Sequence, residues 1–146
     1  TDAVSLPKYG EMAREVLALV RDYRDLARAR GINSIIIAWD SAEEDKAHRP
    51  LLTVNATPKL QSDLPGIVDI IGHIDVLDGS PDRRLLNFEP STRTIQKFRR
   101  NTSDAGKTIP HKIVYSVDNF PMPDILAALK RGVAFPVDKY TSKQAT

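Results

Sequence analysis

A long amphipathic helix followed at once by a short apolar run constrains the fold of this chain more than any other feature. Between Pro7 and Arg30, apolar residues recur at three- and four-residue steps, which predicts a helix of several turns. Gly31 suits its C-terminal cap, and the run NSIIIAWD, residues 33–40, is rich in β-branched residues. Such a continuous apolar run predicts a strand buried on both faces, as in the centre of a parallel sheet. Helix, glycine and buried strand together predict an α/β fold.

The rest of the chain predicts further elements around that strand. Residues 41–59 mix charges and prolines with little periodicity, which predicts a long functional loop. Closely spaced apolar runs follow, and they predict strands that are antiparallel at the edge of the sheet. These runs are 67–78, 83–90 and 93–100, and the segment 111–117 is typical of a further strand. A last helix is predicted from Pro123 to Gly132. We expect one domain over residues 1–132 and a polar C-terminal tail over residues 133–146.

Composition narrows the chemistry that the chain can perform. The 146 residues include no cysteine and three scattered histidines, which excludes thiolate chemistry and argues against a metal site. No apolar run approaches the roughly 20 residues of a membrane helix, so we expect a cytoplasmic protein with no membrane partner. The net charge of +2 predicts no partner, but eight of the ten charged residues from Arg83 to Lys112 are basic. This stretch is either a solvated face or a surface for phosphate or nucleic acid.

The tripeptide Gly106-Lys107-Thr108 has the sequence with which a phosphate-binding P-loop ends. A P-loop also has glycine at the position that Asn101 occupies here, and a helix follows it directly. Pro110 biases Ile109 away from helix, and the segment after it is typical of a strand. We therefore expect a polar loop between two strands at this point.

Asp40 ends the apolar run 33–40, as the Walker B aspartate that positions magnesium does. The pattern is not specific, because any buried strand that enters a polar loop matches it. Only 39 residues precede Asp40, and most of them are predicted to be helix, so a P-loop has little room. Three interpretations stay open: a Walker B aspartate, a phosphate sensor on a neighbouring strand, and a simple loop residue.

The tripeptide Lys97-Phe98-Arg99 predicts a strand with two different faces. In a strand, Lys97 and Arg99 point to one side and Phe98 to the other. Phe98 can then anchor the core while the two cations reach one external anion, and such donors suit a phosphate. The alternative is a solvated edge strand whose charges bind nothing.

Taken together, the order of these pieces resembles the C-terminal half of the RecA-like ATPase core. It is most similar to the phage and prophage AAA-type ATPases related to Sak-type single-strand recombinases. The resemblance covers residues 6–100, and it is carried by TPKLQSDLPGIVDIIGHI (57–74), RRLLNFEP (83–90) and TIQKFRR (94–100). It implies a partial RecA-like P-loop NTPase core, with parallel strands, flanking helices and antiparallel edge strands.

The resemblance also implies roles for individual residues. Asp40 or Ser41 would be the polar residue that senses the γ-phosphate. Lys97 and Arg99 would reach across a subunit interface to a neighbour's nucleotide and stabilise charge on the transferred phosphoryl group, as arginine fingers do. The loop 41–59 would match a mobile DNA-contacting loop. Its phosphate contacts would be Lys46, His48, Arg49 and Lys59.

Our leading hypothesis follows from this resemblance. The family's P-loop and Walker B precede the helix, so the site for ATP and magnesium would lie mainly outside this chain. The chain does not begin with Met, and we expect a processed or partial product that is inactive alone. It would be part of a homo-oligomeric ATPase that acts on single-stranded DNA in phage or bacterial recombination or replication. Two alternatives stay open: a non-catalytic structural or interaction protein, and a nucleic-acid-binding module without ATPase activity.

Overall fold

The computed structural model describes residues 6–44, 46–98 and 109–141. The helices are α1 (Leu6–Arg30), α2 (Pro58–Ile67), α3 (Met122–Arg131) and α4 (Val137–Thr141). The strands are β1 (Asp40–Glu44), β2 (Pro50–Val54), β3 (Ile70–Ile71), β4 (His73–Leu77), β5 (Ser80–Asn87), β6 (Lys97–Phe98) and β7 (Lys112–Ser116). Of the helices described, none combines the length and the apolar character needed to cross a bilayer.

The first helix forms as its periodicity predicts. Ala13, Leu17 and Val20 recur on one face of α1, and they are buried in one cluster with Leu60 of α2. Gly31 follows the helix with a φ of 68°, a left-handed conformation that glycine adopts without steric strain. The predicted helix and its glycine cap are confirmed.

The apolar run after α1 does not form the predicted buried strand. Residues 31–39 have no regular secondary structure and are all exposed; Ile37 is 93% exposed and Trp39 84%. Asp40 alone of the run belongs to a strand, as the first residue of β1. The β-branched composition indicates a preference for extended backbone, but burial needs a covering surface that the first unit of the described chain does not provide.

The strands form three small antiparallel sheets, with the orders β1-β2, β3-β6 and β4-β5-β7. A single isolated parallel bridge joins Leu52 and Thr94, and no pair of strands within the described ranges is parallel. The predicted RecA-like core with parallel strands is therefore wrong. The antiparallel arrangement is confirmed for the strands β4 and β5, which a tight turn at Asp78-Gly79 joins. Parallel pairing needs a crossover of a dozen residues or more, and a turn this short allows only a hairpin.

The predicted loop 41–59 is instead a β-hairpin and the start of a helix. β1 pairs with β2 in a register that runs from Asp40 opposite Val54 to Glu44 opposite Pro50. Pro58 then begins α2, in the first turn, where a proline needs no hydrogen-bond donor. The hairpin strands have only five residues each, and β1 is mostly charged while β2 begins with a proline, so neither shows a clear period.

The described chain divides into two compact units, each with its own core. The first takes its described residues from Thr1–Asp69 and Thr92–Ile95, and the second from Ile70–Ser91 and Gln96–Thr146. The residues predicted as a single domain, 1–132, include parts of both units. The core of the second unit is formed by Leu86, Phe88, Ile109, Ile113, Tyr115, Ile125, Ala128, Phe135 and Tyr140.

The C-terminal part of the second unit combines a confirmed helix with an unexpected one. α3 ends at Arg131, and Gly132 follows it with a φ of 64°, as its capping signals predict. Within the segment predicted as a polar tail, α4 forms and Phe135 and Tyr140 are 6% and 5% exposed. Their rings stack with centroids 5.3 Å apart. This part of the predicted tail therefore belongs to the core.

Candidate nucleic-acid interface

The β1–β2 hairpin carries three of the predicted DNA contacts at its tip. Strand pairing ends at Glu44, and the described part of the connection that follows is residues 46–49. Lys46, His48 and Arg49 all lie in this connection, and all three are exposed. The hairpin therefore presents three basic side chains within four residues at one end of a two-stranded element.

His48 adopts an uncommon backbone conformation at the tip. Its φ is 57°, in the left-handed region, which histidine enters more often than most residues with a side chain. Its Nδ1 lies 3.0 Å from Oε2 of Glu44, and the two side chains are 89% and 66% exposed. A pair this exposed contributes little to stability. Its effect is local: the Glu44 carboxylate offsets part of the positive charge of the tip.

Lys59 lies apart from the other predicted contacts. It is in the first turn of α2. This helix begins after the end of β2 that is farther from the hairpin tip. At about 3.3 Å per residue, the five residues of β2 span about 17 Å. The Nζ of Lys59 lies 3.7 Å from Oδ2 of Asp63, one helical turn further on. The fold therefore brings three of the four predicted DNA contacts together and leaves the fourth at the base of the hairpin.

Trp39 is an exposed aromatic residue at the base of the hairpin that the sequence analysis did not select. Its side chain is 84% exposed. Its carbonyl oxygen accepts a hydrogen bond from the backbone N–H of Asn55 at 2.8 Å, which extends the hairpin pairing by one residue. An indole this exposed can stack on a nucleobase. It is the chain's only tryptophan, beside a charged segment, and that signal was present in the sequence.

Asp40 and Ser41, the predicted phosphate sensors, are the first two residues of β1. Asp40 is exposed and lies opposite Val54, and Ser41 lies opposite Thr53. The described part of the chain has no group of three or more histidine or acidic side chains that could hold a metal ion. Phosphate sensing at Asp40 or Ser41 stays a prediction.

The Lys97-Phe98-Arg99 motif is described only in part. Lys97 and Phe98 form β6, which pairs with β3. The ring of Phe98 meets Phe88 edge to face, with centroids 4.9 Å apart, which confirms Phe98 as an anchor of the core. Arg99 and the tripeptide 106–108 lie outside the described residues. The contact of Lys97 and Arg99 with a neighbour's nucleotide stays a prediction.

A cluster of titratable groups in the second unit joins α4 to α3. Asp124, in the first turn of α3, accepts hydrogen bonds from Lys139 Nζ at 2.8 Å and from the Tyr140 hydroxyl. The bond from Lys139, followed by that from Tyr140, holds the pKa of Asp124 below its usual value. Burial and then the bond to Asp124 raise the pKa of Tyr140 to about 12. Because these groups bind one another, the cluster fastens α4 in place.

A cavity of about 300 Å³ lies in the same unit. Its walls are mainly apolar and include Leu85, Val114, Phe135 and Val137. The cation that lines it, Lys112, forms an ion pair with Glu89 at 2.5 Å. The cavity has no set of converging polar groups that would fix the orientation of a ligand, so it is a weaker candidate than the hairpin.

Comparisons of the chain with known protein families, with curated proteins and with solved structures find no match. The hairpin is the element that combines adjacent cations with an exposed aromatic ring.

Proposed function

We propose that the chain is a non-enzymatic module that binds single-stranded DNA through the β1–β2 hairpin. The observation that carries the proposal is the exposed tip, where Lys46, His48 and Arg49 are adjacent. Lysine and arginine side chains bind nucleic acid by replacing the counterions of the phosphate backbone. An exposed hairpin tip can bring such groups close to a flexible single strand.

Trp39 adds a second kind of contact at the other end of the hairpin. Base stacking on an aromatic side chain contributes about 1–3 kcal/mol per base and works with any sequence. A single strand that runs along the hairpin would meet phosphate-binding cations at the tip and an indole at the base, about 17 Å apart. This combination of a basic track and a stacking platform is typical of proteins that bind single strands without sequence preference.

Two of the three acidic residues of β1, Glu43 and Glu44, contact neighbouring side chains, which reduces their repulsion of phosphate. Glu43 Oε1 accepts a hydrogen bond from Gln61 Nε2 at 2.6 Å. Glu44 lies beside His48. Binding through this hairpin needs no nucleotide, so we expect the affinity to be independent of ATP.

The test is a titration of the chain with a single-stranded oligonucleotide at several salt concentrations. The fluorescence of Trp39 reports binding. The double variant Lys46→Gln/Arg49→Gln removes two charges from the tip. The matched control Arg14→Gln/Arg21→Gln removes two exposed charges from α1. We expect the tip variant to lower the slope of log affinity against log salt by about 1.4, or about 0.7 for each lost contact. The control should keep the wild-type slope.

Two results would contradict the proposal. Equal weakening by the two double variants would mean that attraction is spread over the whole surface of the chain. A wild-type chain that shows no binding even at low salt would favour the interaction protein instead. Trp39→Leu, followed with a labelled oligonucleotide, should weaken binding without changing the salt slope, because stacking releases no counterion.

A further inference from the structure

Residues 34–38 form an apolar overhang beyond the β1–β2 hairpin. The register that places Asp40 opposite Val54 continues to Trp39, whose carbonyl accepts the N–H of Asn55. The same register would place Ile36 opposite Pro58. Pro58 begins α2, so the chain has left the extended conformation and has no N–H to donate there. Residues 34–38, on the N-terminal side of β1, therefore have no partner strand within this hairpin.

The overhang has the composition of a strand that is paired on at least one edge. Ile35, Ile36 and Ile37 are 58%, 54% and 93% exposed. Within the ranges that the structure describes, the backbone groups of residues 35–38 make no hydrogen bond to other residues. A run of exposed β-branched residues with open N–H and C=O groups is a template for pairing with another strand.

We propose that the overhang pairs with the same segment of a second copy of this chain, antiparallel and centred on Ile36. This register pairs the whole overhang: Ile36 lies opposite the partner subunit's Ile36, and Ser34 lies opposite the partner subunit's Ala38. Such a contact is isologous, so it closes a dimer and leaves no further overhang to propagate. The proposed dimer rests on the overhang alone and does not depend on DNA binding at the hairpin tip.

The charges on either side of the overhang favour a second copy in the antiparallel direction. No charged residue lies between Arg30 and Asp40, so two copies of the overhang pair without like-charge repulsion. Arg28 and Arg30 precede it, in the last turn of α1. Acidic residues of β1, which include Glu43, follow it. An antiparallel pair brings the basic flank of each copy beside the acidic flank of the other, whereas a parallel pair would join like charges.

Oligomeric state provides the first test. We expect wild-type chain to be dimeric in sedimentation equilibrium, and Ile36→Lys to raise the dissociation constant by about tenfold or more, because it brings a charge into the strand pair. The matched control is Leu19→Lys on α1, since Leu19 is also 54% exposed. It should leave the dissociation constant unchanged. Both side chains lie outside the buried core, so circular dichroism should report a folded chain for each variant.

Cross-linking tests the register. The chain has no cysteine, so a single introduced thiol reports one position. With Ile36→Cys, the two Cα atoms lie opposite each other at about 5 Å, within disulfide range, and a linked dimer should form. With Ser34→Cys, they are about 14 Å apart and no link should form. A parallel pair would link both variants.

Three results would overturn the proposal. One is a wild-type chain that stays monomeric at high concentration, or that pairs only with an added apolar peptide. Another is a dimer that Leu19→Lys disrupts and Ile36→Lys does not, which would assign the interface to α1. The third is equal cross-linking of the two cysteine variants.

Discussion

The two units of the chain differ in how completely they bury their apolar residues. The described core of the second unit has nine buried residues, among them Phe88, Ile109 and Ile125, each at most 1% exposed. The core of the first has five, and none is aromatic. Of the sixteen large hydrophobic residues exposed in the described ranges, ten belong to the first unit. They are Tyr9, Met12, Leu19, Tyr23, Leu26, Ile32, Ile35, Ile36, Ile37 and Trp39.

This difference indicates which unit has more to gain from a partner. Burial of apolar surface is the main favourable contribution to folding. The second unit removes most of its large side chains from water within its own core. The first leaves ten large hydrophobic side chains exposed, which is the kind of surface that a partner can cover. We therefore place both proposed contacts, with DNA and with a second copy, on the first unit.

The largest expected effect tests whether the first unit has a true core. Leu17 is 2% exposed and Leu19 54%, two positions apart on the same helix. We expect Leu17→Ala to lower the free energy of unfolding by about 2–5 kcal/mol, because it leaves a cavity. Leu19→Ala should change it by less than about 0.5 kcal/mol. Denaturant titration of both variants below the concentration of any self-association measures the difference.

A similar cost for the two leucine variants would contradict the packing of α1 on α2. A large effect of Leu19→Ala alone would mean that the exposed side of α1 is covered in solution. Amide hydrogen exchange in each unit would show whether the loss is confined to the first one.

The next effect compares a tight position in the second unit with an open one in the first. A Cβ added at Gly72 would lie 2.6 Å from Phe88 Cε1 and 2.9 Å from Leu86 Cδ1. We expect Gly72→Ala to destabilise the chain by about 1–3 kcal/mol, because the core is already filled there. Gly10, inside α1, has no atom within 4 Å of such a Cβ. Gly10→Ala should stabilise the helix by about 0.5–1 kcal/mol.

Thermal unfolding of the two alanine variants, with the wild type beside them, checks the signs. The comparison between the units fails if both substitutions stabilise the chain, since the second unit would then have room beside Phe88.

The smallest effect is the pH dependence of the contact between α4 and α3. The folded pKa of Asp124 is below its usual value of 3.8, so this carboxylate stabilises the fold above that pH. The contribution is lost as the pH falls through the folded pKa. The effect of Tyr140 on stability has the opposite dependence on pH. Its folded pKa of about 12 exceeds its usual value of 10, so stability falls as the pH rises from about 10 toward 12.

Stability measured as a function of pH checks this assignment. Asp124→Asn should flatten the acid side of the profile for the second unit and leave the exchange of α1 amides unchanged. If Asp124→Asn loses stability at low pH as the wild type does, other carboxylates cause the loss of stability in acid.

The hairpin tip shows how much of the candidate site the sequence could predict. Lys46, His48 and Arg49 are close in sequence, so any compact turn keeps them together. Lys59 is ten residues beyond Arg49, and its position depends on where β2 ends and α2 begins. Trp39 became a candidate only when its exposure was known, because a tryptophan at the end of an apolar run is more often buried.

The sequence by itself determined the elements whose signals are local. α1 with Gly31, α3 with Gly132, and the antiparallel strands around Asp78-Gly79 follow from periodicity, caps and turn length, which involve residues a few positions apart.

The tertiary structure alone decided which apolar segments are buried. The run at residues 33–40 is exposed and Tyr140 is buried, although composition indicated the reverse for both. Burial depends on whether a distant part of the chain supplies a covering surface. In the first unit, the strand that could pair with the overhang ends at Val54 and the chain enters α2 at Pro58. In the second, Phe135 and Asp124 provide the ring and the carboxylate that hold Tyr140 in the core.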